Sequence, residues 1–140
     1  MAIWFKEVSL ERLNEFGKNT MSEFLGIQFI EIGDNFLKAT MPVTERTKQP
    51  LGLLHGGANV ALAETIASTA ANGVVDLQRY YCVGLEINAN HLRAVKEGIV
   101  TAVTTPIHIG KTTQVWEVII CNEAGKKTCI VRMTAAVIAR

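Results

Sequence analysis

Within "LGLLHGGANVALAETIASTAANG", residues 51 to 73, a carboxylate sits among alanine, valine, leucine and isoleucine. That carboxylate is Glu64, and His55, Gly56 and Gly57 stand at the front of the same segment. Burying an unpaired carboxylate costs several kcal/mol, so Glu64 needs a partner or a purpose. Many lone helical glutamates simply face solvent or pair with a base from another segment. The neighbours favour a purpose. Val60, Glu64 and Ser68 recur every four residues and share one helix face, so the Ser68 hydroxyl can hold a water or orient the acid. The glycines fall in the first helical turn, where backbone N–H groups point outward and the helix dipole favours negative charge. Glycine also lets a ligand approach the backbone closely. Such amides form an oxyanion hole, in which removing one donor costs about 3–4 kcal/mol. Gln49, six residues before His55, adds a polar side chain to the loop leading in.

The elements that must position these groups follow from patterning. Ser9 is placed as an N-cap, with Val8 and Leu13 as a hydrophobic staple and Gly17 past the end, predicting a helix over about 9–16. Thr20 and Glu23 have capping-box spacing, predicting a further turn before Gly26. "GIQFIEIG" alternates, with Ile27, Phe29 and, by the same count, Glu31 on one face. Gly33-Asp34-Asn35 turns the chain into "NFLKATMPV", and 44–54 reads as a loop holding Pro50 and Gly52. The long helix runs from about 55 to 73, stopped by Gly73, and spans about 28 Å. Its alanines let strands approach on nearly every side, so it should be buried. "RYYCVGLEINANHL", "GIVTAVTTPIHI", "TTQVWEVIICN" and "TCIVRMTAAVI" then read as four strands. Strands gathered around one helix predict an α+β fold with a largely antiparallel sheet.

The 140 residues make one domain's worth of chain, read as a single domain over 1–140. Hydrophobic residues make up 49% and mean hydropathy is +0.22, apolar enough to suggest that some surface faces a partner subunit. The net charge of +1, without a basic stripe, gives no sign of a nucleic-acid or membrane-surface partner. No stretch is long enough to cross a bilayer, and "MAIWFKEVSL" lacks the plan of a signal peptide, so a cytoplasmic location is expected. Cys82, Cys121 and Cys129 form no CxxC, and with His55, His91 and His108 give no zinc spacing, so no metal is expected. Cys121 and Cys129 could face each other across a hairpin, but a reducing compartment argues for free thiols.

Gln49-Pro50, "GLLHGG", then Glu64 and Ser68 on an alanine-rich helix resemble the hot-dog-fold thioesterases. "TKQPLGLLHGGANVALAETIAS" and "VGLEINANHLRAV" are similar to the branch holding phenylacetate-pathway and 4-hydroxybenzoyl-CoA-type thioesterases. The resemblance implies a six-stranded antiparallel sheet wrapped around one central helix, and acyl-CoA hydrolysis. It implies Glu64 as nucleophile or general base, and the Gly56 N–H as the donor to the thioester oxygen. Gln49 would polarise or place the carbonyl, His55 would orient the thioester, and Ser68 would position water. Asn90, His91 and Arg93, with Gly110, Lys111 and Thr112, are the matching positions for coenzyme A. Where the family commonly has proline after the arginine, this chain has Ala94. The resemblance further implies a homodimer whose site forms across the interface, often paired into a homotetramer. No cofactor is implied beyond coenzyme A as part of substrate and product. The acyl group is open: aromatic or small, 1,4-dihydroxy-2-naphthoyl-CoA among the options. A non-catalytic acyl-CoA-binding module is the alternative, and a dehydratase would need a second acid–base group, for which only His108 offers.

Overall fold

The computed structural model describes residues 1–140. Two short helices, α1 (Leu10–Phe16) and α2 (Met21–Phe24), precede β1 (Gln28–Ile32) and β2 (Leu37–Pro42). The long helix α3 (Gly56–Gly73) follows, and then β3 (Tyr80–His91), β4 (Ile99–Ile109), β5 (Thr113–Cys121) and β6 (Lys127–Ala139). All pairings are antiparallel, in one six-stranded sheet of order β1-β2-β4-β5-β6-β3. The α3 helix packs against β2, β3, β4, β5 and β6, which gives the expected α+β arrangement of a sheet around one helix.

Ala58, Leu62, Ala63, Ile66, Ala67, Ala70 and Ala71 form the buried face of α3. Across from them lie inward residues of the sheet, among them Leu37, Met41, Val100, Trp116, Ile120, Val131 and Met133. Alanine on the helix keeps that layer thin, and strict alternation along β5 delivers every second side chain to it. Gln114 is buried there because its amide is paired, accepting from Trp116 Nε1 at 2.8 Å and donating to Ala71 O at 3.4 Å. The expectation of burial all round α3 needs correcting: the strip holding Val60, Ala61, Glu64, Thr65 and Ser68 is only half-covered.

Smaller departures have local causes. Ser9 caps α1 by accepting from Arg12 N, but Gly17 keeps right-handed helical backbone, and the left-handed residue after α1 is Asn19 (φ 61°). The capping box is offset by one residue: Thr20 accepts from Ser22 N, and Glu23 accepts from Asn19 N. A bulge between Phe29 and Glu31 leaves Ile30 unpaired and turns Glu31 outward to pair with Lys38. Gly73 is the last residue of α3 rather than a left-handed cap; a Cβ there would lie 3.1 Å from the Trp4 ring, so it is small for packing. Trp4 donates from its indole N–H to Gly33 O at 2.8 Å, which ties the N-terminal segment to the β1–β2 turn. Cys129 faces Ile120 and Cys121 faces Lys127, so the two cysteines are not opposed, and all three are free thiols.

Candidate active site

The loop before α3 is built to present its polar groups. The buried Thr47 donates its hydroxyl to Pro42 O at 2.9 Å, and its carbonyl receives His55 N–H at 2.8 Å. Gln49 N–H donates to Leu53 O and Gly52 N–H to Gln49 O, closing a tight turn that Gly52 enters at φ +80°. The Gln49 side-chain oxygen accepts from Leu51 N–H, so its NH2 group remains to donate outward.

His55 is the N-cap of α3, and its Nδ1 accepts the Gly57 N–H at 2.8 Å, which leaves the ring proton on Nε2. Ala58 and Asn59 donate to the His55 carbonyl at 3.0 and 3.2 Å. Of the first-turn amides, Gly56 N–H has no partner within the chain. It opens on a cleft of about 310 Å³ lined by Gln49, Gly56, Asn59, His91, Arg93 and Val95. A Cβ on Gly56 would sit 2.9 Å from His91 Nε2, so only glycine fits without displacing that ring. Cys129, fully buried below, has its sulfur 3.6 Å from His91 Nδ1. Leu54 N–H donates to Val95 O at 2.7 Å and joins the two walls of the cleft.

Glu64 lies elsewhere on the helix, eight residues from Gly56 and about 12 Å along the axis. It lines a separate recess with Gly57, Val60, Ala61, Gly84 and Leu85. Its carboxylate rests on the backbone of Gly84, where any Cβ would overlap Oε1. The β3 bulge between Gly84 and Glu86 falls at this point. Burial pushes the Glu64 carboxyl above the ordinary carboxylate range, and the Ser68 hydroxyl partly offsets this by hydrogen bonding to it. Asn72 holds β3 in place beneath, accepting from Cys82 N at 2.8 Å and donating to Cys82 O at 3.1 Å and Ser68 O at 2.9 Å. Ser68 also borders a larger cleft of about 540 Å³, with Thr69, Arg12, Phe5, Phe16 and Leu77 on its walls.

One chain therefore brings Gln49, Gly56, His91 and Arg93 together at one cleft, with His55 capping the adjoining turn. It brings Glu64 and Ser68 together at another place, and does not join the two. Asn90 lines no part of the Gly56 cleft, because successive strand residues face opposite sides and His91 takes the helix side. Gly110, Lys111 and Thr112 form the β4–β5 turn, whose Thr112 carbonyl receives Val137 N–H. Val137 pairs with Cys82 and Cys129 with His91, so the turn and His91 lie at opposite ends of β3, about 30 Å apart. Within one chain the expected coenzyme A set is thus divided. His108 is exposed beside Gly110, far from Glu64's recess. No three His, Cys, Asp or Glu side chains cluster as metal ligands would.

Three residues at these places were not singled out from the sequence. Gly84 carried a signal, since glycine inside a strand marks a bulge or a close backbone approach. Asn59 carried a weaker one, a polar residue in an apolar run. Asn72 carried none, because its value lies in the strand it meets.

An antiparallel sheet packed around one long helix, with a free amide at the helix start and a half-buried carboxylate two turns on, defines the hot-dog class of enzymes. Residues 51–129 match the family model described as Thioesterase superfamily, and the chain belongs to that family. It is 49% identical to the 1,4-dihydroxy-2-naphthoyl-CoA hydrolase of Escherichia coli, over 97% of this chain and 99% of that one. It is 47% identical to a proofreading thioesterase of Cronobacter turicensis, over 96% and 98%. The crystal structure of a mutant thioesterase from Pseudomonas aeruginosa superposes with a TM-score of 0.98 at 49% identity, covering 99% of this chain and all of that one. The chain is a thioester hydrolase. No helix in it is long and apolar enough to cross a membrane.

Proposed function

We propose that the protein hydrolyses acyl-CoA thioesters to the free acid and coenzyme A, with Glu64 as the catalytic carboxylate. The observation that carries this is the half-buried Glu64 carboxyl, resting over Gly84 with Ser68 one turn on, on the same helix whose first amide, Gly56 N–H, stands free. The Gly56 N–H, aided by the Gln49 NH2 group, receives the developing oxyanion. Glu64 either takes a proton from the attacking water or attacks the carbonyl itself. The carbon–sulfur bond breaks, and the departing coenzyme A thiolate takes up a proton. No cofactor takes part. Arg93 at the mouth of the Gly56 cleft suits a phosphate of the nucleotide, and Lys111 with the Gly110 and Thr112 amides suits another.

The 12 Å or so between Gly56 and Glu64 calls for a second copy. β3 is an edge strand with one side unpaired, and Val83 and Leu85 on it are exposed. Pairing of two β3 edges would fuse the sheets and cover Val83 and Leu85, making a homodimer that brings one subunit's Gly56 to the other's Glu64. Two such dimers could pair through outward isoleucines such as Ile107 and Ile109.

Aromatic or small acyl groups fit the reading best. The cleft beside Ser68 and Thr69 is walled by Phe5, Phe16 and Leu77, which suits a flat apolar ring. The 1,4-dihydroxy-2-naphthoyl thioester cleaved by the E. coli relative is one such substrate.

Steady-state thiol release from benzoyl-, phenylacetyl-, 1,4-dihydroxy-2-naphthoyl- and straight-chain CoA thioesters tests the activity. Glu64→Gln is expected to lose at least about 100-fold in kcat. A folded Glu64→Gln enzyme working at the parent rate would falsify the assignment, and binding without turnover by the parent would make the chain a sensor instead.

A further inference from the structure

We propose that Asn59 is a substrate-binding residue that holds the first amide of the pantetheine arm, next to the thioester sulfur. The inference rests on the acyl-CoA reading above and deepens it. Asn59 is 5% exposed, lines the Gly56 cleft, and has a side-chain oxygen with no hydrogen-bond partner anywhere in the chain. Its polar neighbours on α3 do not share this state. Thr65 donates to Ala61 O at 2.7 Å, Thr69 to Thr65 O at 2.7 Å, and Asn72 to Ser68 O at 2.9 Å, each reaching the carbonyl four residues back. The Asn59 amide makes no such bond to His55 O, which receives the backbone N–H groups of Ala58 and Asn59. Asn59 borders the cleft, and its buried oxygen lacks an N–H donor from the fold.

The chemistry of the site narrows the donor. Gly56 and Asn59 are three residues apart, one face of the helix and about 4.5 Å along its axis. A thioester held by Gly56 N–H carries, three bonds beyond its sulfur, the secondary amide of the cysteamine unit. That amide offers one N–H, the complement of the Asn59 oxygen. A benzoyl group has no donor at all, and the nucleotide lies much farther along the arm.

Asn59→Leu removes the acceptor while keeping the branching of the side chain, and Asn59→Ala covers the case where the bulkier leucine does not fit. Each is assayed on benzoyl-CoA, on the benzoyl thioester of N-acetylcysteamine, which keeps only the first amide, and on S-ethyl thiobenzoate, which has none. The expected result is a KM raised about tenfold for the first two, an unchanged KM for the third, and kcat within about twofold throughout. KM changes of equal size on all three substrates, or on none, overturn the proposal; a buried water or a purely structural role for Asn59 predicts that pattern, with a lowered melting temperature. A KM change on benzoyl-CoA alone also overturns it, because the contact then lies farther along the arm. The parent enzyme is run first on all three. Failure to release thiol from all three and from the other CoA thioesters named above sinks the hydrolase reading itself, whereas turnover without the selective KM change sinks only the role of Asn59.

Discussion

Glu64 can serve as base or nucleophile only when ionised, and burial resists that ionisation. On the proposed role the protonated form persists above the ordinary carboxylate range, and the acid limb of kcat/KM against pH is expected there, above that of an exposed glutamate. Ser68 pulls in the other direction, so Ser68→Ala should move that limb to still higher pH; a shift downward, or none, would contradict the hydrogen bond. The same sign governs stability. A carboxyl whose folded pKa is raised favours the folded state at low pH, and that benefit is lost as pH rises through the folded pKa. Glu64→Gln has no charge to bury, and at pH 7 it is expected to melt no lower than the parent by calorimetry. The carboxylate in an apolar helix was legible from residue types alone. Its contact with Gly84 was not, because the two residues lie on different elements and meet only across the sheet.

At the scale of elements, the bulge in β3 is what lets a carboxylate lie on a strand. Gly84→Ala puts a methyl where Glu64 Oε1 now sits; the flexible carboxylate yields more easily than the backbone. The expected outcome is a folded enzyme, with a melting temperature within a few degrees of the parent, that has lost about 100-fold or more in kcat. Asn72 is the clamp between α3 and β3. Asn72→Ala leaves Cys82 N–H and C=O without their side-chain partner, and should cost about 2 kcal/mol in urea unfolding with little change in the slope. Every helix and strand was anticipated to within two residues or so, since caps, alternation and alanine spacing are local signals. The bulges at Ile30 and Leu85 escaped, because where the extra residue falls is decided by the neighbouring strand's register, and the glycine at 84 only hinted at one of them.

For the whole molecule, the half-covered strip of α3 and the open β3 edge are the two places where the proposed second chain would complete the site. Leu85→Lys places a charge on that edge, and is expected to shift sedimentation from dimer or tetramer to monomer and to abolish turnover together. A monomer that retains full activity would leave Gly56 and Glu64 to work about 12 Å apart, and would overturn the shared site. The division of the residues expected to meet coenzyme A belongs to this scale too. His91 and Arg93 stand at one end of β3 and the Lys111 turn at the other, so in the proposed dimer one ligand would meet them from two different subunits.

The order of elements, the α+β class, the buried alanine helix and the pairing of Glu64 with Ser68 were all decided within the sequence, because each depends on spacings shorter than two helical turns or one strand. Tertiary structure alone decided that Gly56 lies under His91, that Glu64 lies on Gly84, that the Asn59 side-chain oxygen is buried without a partner, and that Asn90 and the Lys111 turn stand apart from the Gly56 cleft. Those contacts join residues distant in the chain. They depend on strand register and on which edge of the sheet stays open, and both are set by packing rather than by any local pattern.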